Sequence, residues 1–393
     1  MRGVYLSQDL SHAGGIEKKI YRQIEEFEKN NFTIYKAINP KRNIFHLIRN
    51  VIPFFSKQYF MSDNINWIEY DFVYIRKGAV LDKSVIDLLT KIKLQNPQIL
   101  IIMEIPTYPY INEFKGLLKC IIKSKEKLWV PKLKLYVDLF VTYSDDKKIY
   151  DIPCLNISNA YDFPERPPLI KCSSDSIQLL GVAALCFYHG YDRVIEGLNN
   201  YYQSSKSQRQ IQFQLVGDGP VLKEYEQLVK KYQLEDKVTF HGRIAFSDLD
   251  RFYQTADIGI DSLARHRSGV FYNSSLKGKE YLAKGLPIIS GVKTELDSEN
   301  LSFYYKIPND DTPLDIEKVV EWYDFEKNMS KKELTNYIQY GKSNYTFEKT
   351  FQPVVDYLKE QETKRNKFYF VAIQWFNSEI LSKENKIYLL KGF

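Results

Sequence analysis

At 393 residues the chain is long enough for two domains, each with its own core. Hydrophobic residues make up 44% and charged residues 26%, which excludes a disordered or fibrous chain. A net charge of +6 is too small to argue for nucleic acid, so what matters is where the basic residues cluster. Cys120, Cys154, Cys172 and Cys186 have neither C-x-x-C nor zinc-finger spacing and read as reduced thiols of a cytoplasmic protein. The N-terminal Met-Arg-Gly-Val-Tyr-Leu-Ser lacks the apolar core of a signal peptide. No apolar run approaches the ~20 residues that a spanning helix needs, so the expectation is a cytoplasmic protein that can still sit on a membrane.

In chain order, residues 3–6 form a short apolar strand, followed by a Gly14-Gly15 loop and a helix to about Lys29 with a stripe of Ile16, Ile20, Ile24 and Phe27. Strand, glycine loop and helix are the first unit of a doubly wound α/β sheet, and Gly15 lets backbone approach a ligand at the helix start. Residues 41–60 carry Lys41, Arg42, Arg49 and Lys57, no acid, and many bulky apolar side chains including Phe54 and Phe55. A strand over 70–75 and an amphipathic helix over 81–94 lead to a buried strand at 99–105. That strand ends in Glu104-Ile-Pro-Thr-Tyr-Pro-Tyr110, a stiff polar-tipped loop at a carboxyl edge, where open α/β sheets bind ligands. Between 115 and 134, seven lysines face a single acid, Glu126, and interleave with leucines, isoleucines and Trp129. A basic amphipathic helix of this kind suits an anionic membrane surface, with Trp129 or Phe54-Phe55 inserting.

A strand at 140–144 precedes Asn159-Ala-Tyr-Asp162 and a proline-rich polar linker. The alternation then repeats: strands at 176–182, 210–216, 237–240 and 256–260 are separated by helices, which specifies a parallel sheet with crossover connections. The loops at the strand ends carry His189, Arg193, Gly217, Arg243, Arg265 and Arg267.

The stretch from Asn273 to Ser290 is the most informative. Ser274 and Ser275 can cap a helix over 276–283, Gly285 ends it, Pro287 blocks its resumption and Ile288-Ile289 begins a buried strand. A helix start of this kind offers N–H groups and a positive dipole end to an anion such as a diphosphate. Lys277 adds a charge in the first turn, and Glu280, one turn on, can accept two hydrogen bonds from a ribose diol.

The Lys277/Glu280 stretch with its Tyr-Leu-Ala-Lys-Gly-Leu-Pro-Ile ending resembles the donor motif of GT-B glycosyltransferases of family 4. The order Leu215-Val-Gly-Asp-Gly-Pro220, Val238-Thr-Phe-His-Gly242 and Ala256-Asp-Ile-Gly-Ile-Asp261 is similar to that family's donor domain. Glu104-Ile-Pro-Thr-Tyr-Pro is similar to a subgroup of its bacterial polysaccharide enzymes. The resemblance is strong over 176–290 and weak before it. It implies two Rossmann-like doubly wound domains facing a cleft: an acceptor domain over 1–164, a donor domain over 165–345, and a crossover helix and tail over 346–393. It implies transfer, with retention, from a nucleotide-sugar to a glycan or lipid-linked acceptor in cell-surface polysaccharide synthesis, without nucleic acid as partner. The donor site implied contains Gly15, His189, Arg193, Gly217, Arg243, Arg265, Arg267, Asn273, Ser274, Ser275, Lys277 and Glu280. Lys277 stabilises the leaving diphosphate and Glu104 positions the acceptor, and no metal or other cofactor is called for.

The pattern also breaks. The family often has a second Glu eight residues before the ribose-binding one, where Tyr272 stands here, and the usual diphosphate-clamping Arg after the second domain's first strand is missing. His189, Arg193, Arg265, His266 and Arg267 are the substitutes at hand. These breaks keep open a degenerate subunit supporting an active partner; a sugar-nucleotide epimerase of the same fold is a separate alternative that needs acid/base carboxylates and histidines in the cleft, of which the chain has five histidines in all.

Overall fold

The computed structural model describes residues 1–8, 15–39, 64–78, 80–165, 176–204, 209–299, 301–326 and 331–367. The basic stretch 41–60, Gly14 and the tail beyond 367 lie outside the described residues.

The first half is a seven-stranded sheet with the order β2-β1-β3-β4-β5-β7-β6. Its strands are β1 (Arg2–Gln8), β2 (Thr33–Asn39), β3 (Phe72–Arg76), β4 (Leu100–Ile105), β5 (Leu139–Thr142), β6 (Lys148–Ile149) and β7 (Ile152–Asn156). All pair in parallel except the short edge strand β6, which turns back antiparallel on β7. Helices α1 (Gly15–Lys29), α2 (Lys83–Gln95) and α3 (Gly116–Trp129) make the crossovers. Val73, Ile75, Ile101 and Met103 face one core and Phe72, Tyr74 and Ile102 the other, so the central strands read as unbroken apolar runs.

The second half is a six-stranded, wholly parallel sheet, β10-β9-β8-β11-β12-β13. It comprises β8 (Ser176–Val182), β9 (Gln210–Val216), β10 (Val238–Phe240), β11 (Ile258–Ile260), β12 (Ile288–Ser290) and β13 (Tyr304–Lys306). Its helices are α4 (Asp192–Gln203), α5 (Leu222–Lys231), α6 (Asp250–Thr255), α7 (Leu276–Ala283), α8 (Ile316–Glu326) and α9 (Lys331–Asn344). A last helix, α10 (347–367), returns to the first half. There Phe351, Val354, Val355 and Leu358 join Tyr5, Ile24 and Phe27 in one buried cluster, with the Phe351 and Phe27 rings 4.9 Å apart.

In each sheet the strand order reverses once, at β1/β3 and at β8/β11. Chains leaving the carboxyl ends of two such strands diverge to opposite faces and open a crevice. In the second half that crevice lies between the loops after Val182 and Ile260.

The buried face of α1 differs from the expected stripe. Ile16 is 36% exposed, while the polar Lys19 and Gln23 are buried beside Ile20, Ile24 and Phe27. Their reason is Glu104, fully buried on β4 opposite Arg76 of β3. Its carboxylate is paired with the Arg76 guanidinium and accepts from the Tyr74 hydroxyl at 2.7 Å and from Gln23 Nε2 at 2.8 Å, with Lys19 Nζ at 3.8 Å. Burial alone would raise the Glu104 pKa, but the Arg76 and Lys19 charges outweigh it and hold the carboxyl below its ordinary range. Replacing Glu104 by Gln leaves two buried cations without their carboxylate, a change that typically costs roughly 3–5 kcal/mol. The urea midpoint of Glu104→Gln should fall accordingly, and a midpoint equal to the wild type's would show that the network does not hold the first sheet.

Candidate functional site

Helix α7 forms as its residues dictate. Ser275 is the N-cap, its Oγ accepting the Gly278 N–H at 3.3 Å and donating to Asp261 Oδ1 at 2.7 Å. At the other end Gly285 takes φ +70, and the Leu286 N–H closes on the Tyr281 carbonyl at 2.9 Å, the αL ending that glycine favours. The helix sits close to the sheet because Gly259 has no side chain: a Cβ there would come within 2.4 Å of the Tyr281 ring. Tyr281 in turn donates to the carbonyls of Leu180 and Ile260 at 3.3 and 3.2 Å, tying α7 to β8 and β11.

This places Lys277 over the β8/β11 crevice. Its Nζ donates to Ser262 Oγ at 3.1 Å and lies 3.6 Å from Asp261 Oδ1. Burial pushes its pKa down to about 8, against the pull of Asp261. From the loop after β8 comes His189, whose Nδ1 accepts the Cys186 N–H at 3.1 Å, leaving the proton on Nε2. Burial, then the charges of Lys277 and Arg265, hold the His189 pKa well below its usual value. His189 therefore offers a neutral N–H donor to the crevice instead of the positive charge the sequence suggested. From the loop after β11 comes Arg265, buried, with its guanidinium 4.4 Å over the Tyr188 ring and its Nε buried without a partner. Its Nη1 reaches across to Glu113 of the first half, 3.0 Å away. Gly217 shapes the same edge: its φ is +132, and a Cβ would collide with the Ala183 carbonyl.

Glu280 lies one turn along α7, its Oε1 accepting from the Tyr161 hydroxyl at 3.0 Å. Burial raises its pKa, partly offset by the Tyr253 and Tyr161 hydroxyls. Gly15, at the start of α1, faces α7, with space for a Cβ only 3.4 Å from Leu276.

Other expected site residues are placed elsewhere. The Arg193 guanidinium is buried against the carbonyls of Leu263, Pro308 and Thr312, so it fixes the shape of the Arg265 loop from behind. Arg267 is bound by Asp192 at 2.7 Å and by Asp311 at 2.7 Å. Ser274 joins the two halves: its N–H donates to the Tyr143 carbonyl at 3.1 Å, and Asn159 bonds both its Oγ and its carbonyl, at 2.8 and 2.6 Å. Asn273 is half-buried, with its N–H on the Lys293 carbonyl at 2.9 Å, and Arg243 is exposed beyond β10. Glu104 lies in the first core with both oxygens engaged and faces no acceptor in this conformation. The chain's Asp-x-Asp, Asp248-Leu-Asp250, is on an exposed flank where Asp250 pairs with Lys284 at 2.6 Å. Asp261, Ser262, Tyr161 and Glu113 were not singled out by sequence reasoning, although an acid just past a buried strand, as at Asp261, is a signal for the first of them.

Residues 170–270 match the family described as glycosyl transferases group 1. Among solved structures, the apo lipopolysaccharide outer core galactosyltransferase WaaB has a TM-score of 0.56 at 14% identity, over 92% of this chain and 100% of that one. The Anabaena HepE protein in complex with UDP has a TM-score of 0.57 at 14% identity, again over 92% and 100%. At such identity the likeness concerns the fold, which is GT-B. In sequence, 88 residues are 28% identical to the alpha-monoglucosyldiacylglycerol synthase of Streptococcus pneumoniae, spanning 22% of this chain and only 20% of that relative.

The Lys277 ammonium is charged below about pH 8 and neutral above it. An anion held by that charge should bind more weakly as pH rises through this range, by roughly 10-fold between about pH 7.5 and 9.5. Calorimetric titration of a nucleoside diphosphate across that range checks this, and Lys277→Arg should flatten the dependence. A wild-type affinity independent of pH would remove Lys277 from the anion site.

Proposed function

We propose that the protein transfers a sugar, with retention, from a nucleoside-diphosphate donor to a glycan or lipid-linked acceptor. The observation that carries this reading is the joint position of Lys277, Arg265 and His189 at the β8/β11 crevice, with Glu280 one helical turn away. The cations and the His189 N–H face the diphosphate and stabilise charge as it leaves, in a site already shielded from water. Glu280 takes the ribose diol. In retaining transfer the leaving phosphate can accept the acceptor's proton on the same face, so no protein nucleophile is needed. With the charge supplied by side chains, the reaction is expected to proceed without a divalent metal. HepE's complex with UDP makes uridine nucleotides the first donors to try.

The acceptor side is the first half. The relative's name, a diacylglycerol glycolipid synthase, supports a lipid-linked acceptor, and so does α3. Leu117, Leu128 and Leu135 are exposed on and just beyond α3, among the exposed Lys115, Lys123, Lys127, Lys132 and Lys134. Trp129 does not share that face: it is half-buried against the first core, with Lys132 Nζ 4.4 Å from its ring. The leucines, not the tryptophan, are the residues that would enter an anionic membrane surface. Among the described residues no helix is long and apolar enough to cross a membrane.

A panel of nucleotide-sugars screened by thermal shift identifies the donor, since a tight ligand stabilises by mass action. Transfer by the purified protein alone, retained in excess EDTA, is the expected result; donor binding without transfer would instead favour a subunit that needs a partner. Loss of a charged hydrogen bond is worth about 1.5–3 kcal/mol, so Glu280→Ala should weaken the donor roughly 10- to 150-fold. Unchanged affinity in a folded Glu280→Ala protein would reject the ribose assignment. Flotation with liposomes should require anionic lipid and decline with salt, and equal partition onto neutral vesicles would reject the electrostatic contact.

A further inference from the structure

Arg265 and Glu280, the groups suited to a phosphate and to a ribose diol, are both already engaged by a residue that precedes the second sheet, Glu280 with the Tyr253 hydroxyl of the second half beside it. Arg265 donates to the Glu113 carboxylate at 3.0 Å, an oxygen anion as a phosphate is. Glu280 accepts from the Tyr161 hydroxyl at 3.0 Å, as it would accept from a ribose hydroxyl. The chemical match is one for one at both ends of the site. It is also incomplete at the cationic end. A guanidinium offers a fork of donors that an oxyanion can bridge, yet Arg265 Nε stays buried without a partner while Nη1 holds one carboxylate oxygen.

The segment bearing Glu113 lies across the crevice mouth. Gly269 takes φ +73, and a Cβ on it would come within 2.8 Å of Asn112 Nδ2. Lys115 Nζ stands 4.1 Å from the Phe187 ring of the β8 loop. Glu113 remains 27% exposed, so its contact is open to exchange with solvent and solutes.

We propose that Glu113 and Tyr161 are internal stand-ins for a donor phosphate and a ribose hydroxyl, displaced when a nucleoside diphosphate enters. The inference rests on the donor-site reading of Lys277 and Glu280 and adds an order of events to it. The stand-ins keep buried Arg265 and half-buried Glu280 partnered, avoiding the penalty of an unpaired charge away from water. Donor entry replaces like with like, frees residues 106–114 from the second half, and uncovers the acceptor side of the cleft. Donor would therefore bind before acceptor, and the free nucleotide would bind more weakly than the site alone allows, by the fraction of molecules in which the stand-ins hold.

The test is calorimetric titration of UDP, with GDP in parallel, into wild type, Glu113→Gln, Tyr161→Phe, Arg265→Ala and the double variant Glu113→Gln/Arg265→Ala. Glu113→Gln and Tyr161→Phe should each tighten binding by about 5- to 20-fold. Arg265→Ala should weaken it, and adding Glu113→Gln in that background should change nothing further, since the partner is gone. Hydrogen exchange on the wild type should show residues 106–114 losing protection when UDP is added. Unchanged or weaker binding by Glu113→Gln and Tyr161→Phe, or unchanged protection of 106–114 under saturating UDP, overturns the stand-ins and leaves the donor site in place. Absence of UDP and GDP binding by the wild type and by both single variants overturns the donor-site reading, and the stand-ins fall with it.

Discussion

One buried carboxylate organises much of this molecule. Glu104 stands in the first core, where an ion without partners would cost far more than the fold could sustain. Satisfying it recruits Arg76 and Tyr74 from the neighbouring strand and Gln23 and Lys19 from α1. Lys19 then passes the constraint outward: its Nζ donates to Asn159 Oδ1 at 2.7 Å, and Asn159 bonds Ser274 at the start of α7. Burial pushes the Lys19 pKa down to about 7 against the attraction of Glu104, so this link is held by geometry as much as by charge. The chain of contacts runs from the middle of the first sheet to the residue preceding the N-cap of α7. A polar network of this kind is sensitive to the loss of any member, because each removal leaves the others unpaired.

The crevice shows the complementary problem, cations gathered at one edge of the second sheet. Asp261 answers Lys277 from within the second half, whereas Glu113 answers Arg265 from the first. The two halves are thus joined at the crevice by a guanidinium and a carboxylate. Lys279, two residues after Lys277, is by contrast wholly structural: it is buried, paired with Glu295 and set 4.3 Å from the Tyr345 ring. The two lysines divide the work because positions two apart on a helix point about 200° apart, to nearly opposite faces.

Local signals in the sequence were sufficient for the elements that surround the site. Helix α7 spans the residues its caps and stops predict, because Ser275, Gly285 and Pro287 act within a few residues of themselves. Strands β8 and β9 likewise run as their apolar stretches indicate. The inward turn of Trp129 was not read from the sequence, which suggested insertion into a membrane: it follows from the burial of Ile122 and Glu126 on the same helix face, and an acid among seven lysines gives no local sign that it is buried. What one sequence does not display is pairing across more than a hundred residues. Lys19 with Asn159, Glu113 with Arg265 and Tyr161 with Glu280 are of that kind. Polar residues on an otherwise apolar stripe, as at Lys19 and Gln23, hint at such a partner without naming it. The roles of Arg193 and Arg267 were hidden for the same reason: their partners are carbonyls and carboxylates of loops brought near only by the fold.

A crystal structure of the protein with UDP tests the proposed donor site most directly. The diphosphate is predicted within about 3 Å of Lys277 Nζ and the Arg265 guanidinium, with the ribose hydroxyls on Glu280 and with Glu113 and Tyr161 moved aside. UDP bound elsewhere, with Lys277, Arg265 and Glu280 keeping their present partners, would contradict it.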